Sequence, residues 1–219
     1  MREGFFVGGS VMYENCLIIS GGEYSELPDD IPEPDHVIAC DRGWKYAKAL
    51  GYTPDLIVGD FDSSEIPPEQ YNICRLPVEK DDTDTMHAAR TVLKEGCRKA
   101  VICCAFGGRL DHTLANIQTG AFLAAGGVET MLTGADSRAV FLTCGETVIP
   151  EKAGWSLSVF SLSDRSRGVT IKGTKYECED IEMTGTYPLG VSNTWAGKEA
   201  RISVKEGMLL IMLSRECKA

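Results

Sequence analysis

Long apolar runs are missing from this 219-residue chain. None approaches the roughly 20 residues of a membrane-spanning helix, so no span is expected. No charged start followed by an apolar core opens it, so no secretory leader is expected either. A basic excess is also missing: 32 acidic side chains face 22 basic ones, a net charge of −10. That field repels a phosphate backbone, which argues against nucleic acid or an anionic membrane as partner. Histidine is scarce (3 residues), and the nine cysteines form no CxxC pair, so a zinc site is not expected. Most cysteines sit in apolar runs such as Cys16-Leu-Ile-Ile and Val101-Ile-Cys103-Cys104-Ala, where a reduced thiol behaves as a small hydrophobe. Reduced thiols and a cytoplasmic location are therefore expected. The common nucleotide-binding solutions are absent as well. There is no GxxxxGK[ST] loop, no GxGxxG after the first apolar run, and no HRD or DFG set.

What is present is the composition of an ordinary globular protein, 43% apolar and 25% charged. The opening stretch, Met1 to Ser10, is Gly-rich and aromatic without periodicity, and Met12 is an alternative start. From residue 12 to about 135 short apolar runs alternate with helical patterns. Strands are predicted over 16–20, 36–40, 55–59, 73–77, 100–106 and 128–132. Helices are predicted over 44–50, from a cap at Thr83 through Lys94, and from about Gly108 to Ala125. Continuous apolar strands interleaved with helices indicate an α/β domain whose parallel sheet is covered on both faces. From 136 to 219 the helical period disappears. Runs such as Trp155-Ser-Leu-Ser-Val159 and Ala200-Arg-Ile-Ser-Val204 alternate, with glycines between runs, so a small antiparallel all-β sandwich or barrel is expected.

In parallel α/β sheets ligands bind beyond the carboxyl ends of the strands. Asp41-Arg42-Gly43 follows the second predicted strand and Asp60-Phe61-Asp62-Ser63 the third. Lys80-Asp81-Asp82-Thr83-Asp84 follows the fourth, and Gly107-Gly108-Arg109-Leu110-Asp111-His112 the fifth. Any one of these is an unremarkable surface turn, and Asp82 and Asp84 also suit the first turn of a helix. Together they crowd like charges on one edge, which is unfavourable unless a cation sits among them. Carboxylate oxygens without His or Cys suit Mg²⁺, which shares its shell with substrate phosphates. Lys80 and Arg109 lie in the same loops and can hold phosphate oxygens. Gly107-Gly108 before a helix is a further phosphate seat.

Gly59-Asp60-Phe61-Asp62-Ser63, then Lys80 to Asp84, then Gly107 to His112, then Gly190-Val-Ser192-Asn193-Thr-Trp195 resemble bacterial thiamine pyrophosphokinases in content and order. Asp41-Arg42-Gly43 falls where that family carries an Asp-Gly-Gly-like turn, and Arg42 departs from it. The resemblance implies a Rossmann-like N-terminal domain (12–135), a C-terminal β-sandwich that binds thiamine (136–219), and a homodimer whose active sites are shared between subunits. It implies transfer of the diphosphoryl group of ATP to the hydroxyl of thiamine, giving thiamine diphosphate and AMP. On the family pattern Asp60, Asp62 and Asp84 match metal and phosphate positions, and Asp111 a catalytic acid. Asp41, Lys80, Thr83, Gly107, Gly108 and Arg109 are placed at the ATP phosphates. Ser192 and Asn193 match the thiamine-binding stretch, where Trp195 would stack on a thiamine ring; packing within the β domain is its alternative role. His112 is a minor candidate. Two rivals stay open at this level. One is an aspartyl-phosphate phosphatase using Asp60 as nucleophile; the other is a sensor that binds thiamine or nucleotide without turnover.

Overall fold

A computed structural model describes residues 13–61, 65–77 and 81–216. The chain divides into two compact units at Ala135/Asp136. In the first, strands β1 (Asn15–Ile19), β2 (His36–Cys40), β3 (Leu56–Gly59), β4 (Ile73–Arg75), β5 (Lys99–Cys103) and β6 (Glu129–Thr133) alternate with helices α1 (Gly43–Ala49), α2 (Asp84–Lys94) and α3 (Leu110–Ala125). The strands run in the order β6-β5-β1-β2-β3-β4, and every pairing among them is parallel. Leu17 and Ile19 of β1 pack with Val37 and Ala39 of β2 and Ala47 of α1. Their alternates Ile18 and Ile38 are equally buried, so both sheet faces are covered, as the unbroken apolar runs imply. Thr83 caps α2 by accepting a hydrogen bond from the Met86 N–H, and Gly96 takes a left-handed conformation just past its end.

The chain lays β1 to β4 outward on one side of β1, then returns to place β5 on the other. The strand order therefore reverses between β1 and β5, and the crevice beyond their carboxyl ends is where such sheets bind ligands.

The second unit contains β7 (Ser137–Leu142), β8 (Gly145–Pro150), β9 (Trp155–Ser161), β10 (Arg165–Lys172), β11 (Cys178–Thr184), β12 (Gly190–Asn193), β13 (Glu199–Val204) and β14 (Leu209–Arg215). They form antiparallel arrays β12-β9-β14-β7 and β11-β10-β13-β8. Burial alternates along β9 and β13, as period two requires. The inward residues of both arrays, among them Leu157, Val159, Ile171, Ile202 and Ile211, share one apolar core.

Expected thiol chemistry needs one correction. Cys16 is disulfide-bonded to Cys97, 81 residues away, with Cα atoms 6.4 Å apart. Parallel pairing of β1 with β5, Asn15 opposite Lys99, brings the start of one strand beside the turn that leads into the other. Spacing along the chain does not reveal that proximity. Cys40, Cys74, Cys103, Cys104, Cys144 and Cys178 are free thiols. No helix among the described residues is long and apolar enough to cross a membrane.

Candidate active site

Backbone strain marks the carboxyl edge of the first sheet. Asp41, Phe61 and Cys104 have φ of 46°, 57° and 52° and follow β2, β3 and β5. Left-handed backbone is unfavourable for residues with a side chain and persists where surrounding packing holds it. At Phe61 the holding force is visible: its ring is buried in the core with Leu17, Val37 and Ile57. Sinking that ring leaves the preceding residue, Asp60, half-exposed at the edge. Asp41 donates its N–H to the Val58 carbonyl at 2.8 Å, which ties the exit of β2 to β3 beside Asp60.

A buried polar network fixes the helix starts under this edge. Ser20, just past β1, meets the Thr85 hydroxyl at 3.1 Å, and Asn116 of α3 donates to Ser20 Oγ at 3.3 Å and to the Ala105 carbonyl at 2.8 Å. Thr85 is thereby held against β1, and with it the neighbouring Asp84 in the first turn of α2. No motif pointed to Asn116 or Ser20, because a buried amide is recognisable only by what surrounds it.

The β1 exit is joined to the β5 exit by backbone bonds from Gly22 N–H to Cys104 O and from Glu23 N–H to Phe106 O, each 3.0 Å. A side chain at Gly22 would run into that Cys104 carbonyl, which is why glycine stands there. Cys104 itself is buried, and a hydrogen bond from Cys103 lowers its thiol to about 7. The Gly107-Gly108 turn is left-handed at both residues and has the Glu23 carboxylate against it. Arg109 and Asp111 bind one another, Nε to Oδ1 at 3.1 Å. The Arg109 guanidinium holds the Asp111 carboxyl below its usual range, so this exposed acid is ionised at neutral pH. Asp111 also accepts from the His112 N–H. Asp82 is paired with Arg90 across the first turns of α2, and the Thr83 hydroxyl serves as the helix cap. Asp62 and Lys80 lie outside the described residues. Among the described residues no three His, Cys, Asp or Glu side chains form a ready-made metal cage.

In the second unit Ser192 is again left-handed, φ 58°, with its N–H bonded to Ser158 Oγ at 3.0 Å. The Asn193 side chain is 4% exposed and fully committed to the protein. Its oxygen accepts the N–H groups of Tyr176 and Thr194, and its nitrogen donates to Thr174 Oγ1 and the Tyr176 carbonyl. Trp195 packs against the β core, and its indole N–H donates to the Ile149 carbonyl at 3.0 Å. Packing within the β domain is therefore part of what Trp195 does. Beside this stretch a cleft of about 190 Å³ opens between Tyr176, Cys178, Ile181, Met183, Leu189 and Val191.

Both units match known proteins over these same segments. Residues 31–132 match the thiamin pyrophosphokinase catalytic domain, and residues 146–209 its vitamin B1 binding domain. The chain belongs to the thiamine pyrophosphokinase family. As a member it is a thiamine diphosphokinase, an enzyme that forms thiamine diphosphate. Solved thiamine pyrophosphokinases share the fold. That from Bacillus subtilis is 23% identical with a TM-score of 0.81, covering 93% of this chain and 100% of its own. A family protein from Enterococcus faecalis is 25% identical at TM-score 0.74, with 93% and 100% covered. The Candida albicans enzyme is 16% identical at 0.72, with 93% and 89% covered. No curated protein matches the sequence. The catalytic-domain match spans Asp41, Asp60, Asp84, Gly107 and Asp111, and the vitamin-binding match spans Ser192, Asn193 and Trp195. A match over both halves leaves the phosphatase alternative without an account of the second unit.

Proposed function

We propose that this family member transfers the diphosphoryl group of ATP to thiamine with Mg²⁺ bound at the carboxyl edge of the first sheet. The observation that carries the reading is the coincidence of acidic strand exits with left-handed backbone at Asp41, Phe61 and Cys104. The thiamine hydroxyl oxygen forms a bond to the β-phosphorus, the bond from that phosphorus to the α,β-bridging oxygen breaks, and AMP leaves with that oxygen. The hydroxyl proton passes to a base at the edge. Asp60 and Asp84, with Asp62 from its place in the sequence, are the oxygen donors for the metal, a hard set free of His and Cys that suits Mg²⁺. Bound there, Mg²⁺ would neutralise polyphosphate charge in a chain that is itself acidic. Asp41, Lys80, Thr83, Gly107, Gly108 and Arg109 then surround the phosphates, with Asp111 beside them. Ser192 and Trp195 face thiamine, and Asn193 acts through the turn it holds.

The reversal of strand order between β1 and β5 supports a Rossmann-like reading of residues 12–135. Two antiparallel arrays around one core support a β-sandwich for 136–219. The working form is a cytoplasmic homodimer, with each site completed by the α/β half of one subunit and the β half of the other. A solution mass of twice 23.8 kDa checks the dimer, and a monomeric mass with full activity would remove it. The activity itself is checked by AMP release. It should require both ATP and thiamine, stop on addition of EDTA, and return with Mg²⁺. Binding of both substrates without AMP release would instead make the chain a sensor.

Trp195→Ala should lower stability by about 1–3 kcal/mol, because a half-buried ring and its bond to Ile149 are lost together. The thiamine KM should rise about tenfold while the ATP KM stays within twofold. A stability loss with both KM values unchanged would confine Trp195 to packing.

A further inference from the structure

Arg42 follows β2, and its side chain turns back on the end of β1. Its Nε–H donates to the Gly21 carbonyl at 2.6 Å and its Nη2 to the Gly22 carbonyl at 3.1 Å. The Tyr46 hydroxyl donates to the same Gly22 carbonyl at 3.1 Å. Gly21 and Gly22 form the β1 exit, which backbone bonds join to the β5 exit. One arginine just past β2 is thus fastened to the β1 exit, which borders the point where the strand order reverses. A guanidinium has five N–H donors in a rigid plane. Two are engaged by these carbonyls, their geometry fixes the plane, and three remain. The residue is exposed, and no carboxylate among the described residues pairs with it. Its neighbours along the edge, Asp41 and Asp60, are acids. A cation with restricted motion beside these acids suits an anion that arrives with its own metal.

We propose that Arg42 is a phosphate-positioning residue for the nucleotide donor, reading the polyphosphate with the N–H groups that the glycine carbonyls leave over. The inference rests on the ATP-donor reading above and adds to it a residue that the reading did not place at the phosphates.

The experiment compares the wild type with Arg42→Gln, Arg42→Ala and Arg42→Lys. It reads the KM for ATP and for thiamine, and calorimetric binding of an ATP analogue with a methylene bridge between the α and β phosphorus. Loss of charge-assisted bonds in Gln and Ala should raise the ATP KM and weaken analogue binding by about tenfold or more, with the thiamine KM within twofold. Lys restores a charge but cannot span both carbonyls, so it should recover most of the loss if Arg42 reads phosphate. If Arg42 were only a clamp on the β1 exit, Lys would be as poor as Gln and both substrates would suffer alike; that result overturns the proposal. Analogue affinity unchanged in both Gln and Ala overturns it as well. Two neutral replacements are measured so that a folding defect peculiar to one does not decide the outcome. Wild-type protein that binds the analogue but releases no AMP would sink the donor reading while leaving the binding comparison intact. Failure of the wild type to bind the analogue at all would overturn both.

Discussion

Asp84→Asn is expected to lower kcat by on the order of a hundredfold or more, the scale of losing a strong electrostatic contact in a charge-transferring step. Asn preserves the shape and removes only the charge. The helix start survives, because the Thr83 cap and the Thr85–Ser20 bond do not involve the Asp84 carboxylate. Some stability is lost with a negative charge from the first turn of α2, about 0.3–1 kcal/mol. Asp60→Asn should behave alike, since Phe61 rather than Asp60 anchors that loop in the core. Asp62→Asn is expected to follow from its place in the motif. The measurement is AMP release at saturating Mg²⁺, ATP and thiamine, beside a thermal melt. Near-normal kcat in Asp84→Asn would remove it from the metal and phosphate site. A collapse of the melt would instead make Asp84 structural.

Asn193→Ala is expected to cost about 2–4 kcal/mol of stability and to raise the thiamine KM by more than tenfold. Truncation strips the partner from the Tyr176 and Thr194 N–H groups, while the Thr174 hydroxyl keeps its bond to the Tyr176 carbonyl, and buried polar groups left unpaired cost about 1–3 kcal/mol each unless water reaches them. The same amide ties the 174–176 segment to the end of β12, beside the left-handed Ser192. Loosening it therefore disturbs the wall of the cleft as well as the fold. Asn193→Asp separates the two effects: it keeps the acceptor for both N–H groups and loses the donor to Thr174 and Tyr176. It should be destabilised, but less than Ala. Chemical denaturation supplies the stability and steady-state kinetics the KM values. A denaturation midpoint equal to wild type for Asn193→Ala would show that these bonds contribute nothing, and an unchanged thiamine KM would detach the turn from the substrate.

Much of the architecture was legible along the chain. Unbroken apolar runs such as HVIAC are what a strand buried on both faces requires, and β2 occupies that run, His36–Cys40. Trp155-Ser-Leu-Ser-Val shows the period of a strand buried on one face, and β9 alternates accordingly. Thr83, placed before a helical pattern, caps α2 because a hydroxyl there satisfies an otherwise unpaired N–H. The acidic strand exits and the Ser-Asn-Thr-Trp segment were equally visible, since local motifs carry their chemistry in the residues themselves.

What stayed hidden depends on pairing between distant segments. The order of the six strands in the first sheet is a choice among many that the apolar runs leave equivalent. The Cys16–Cys97 bond follows from that order and contradicts the expectation of reduced thiols. Asn193 looked like a ligand residue, yet its hydrogen bonds are committed to Thr174, Tyr176 and Thr194, a partner set that exists only once the turn between β10 and β11 folds back on β12. Arg42 stood out only as an unexpected residue in a turn, and its two carbonyl partners lie 20 and 21 residues earlier in the chain. Periodicity and motifs record what each segment can bury or bind. Which segments meet is decided when the strands pair, because a hydrogen bond or disulfide requires two groups whose separation in sequence places no limit on their separation in space.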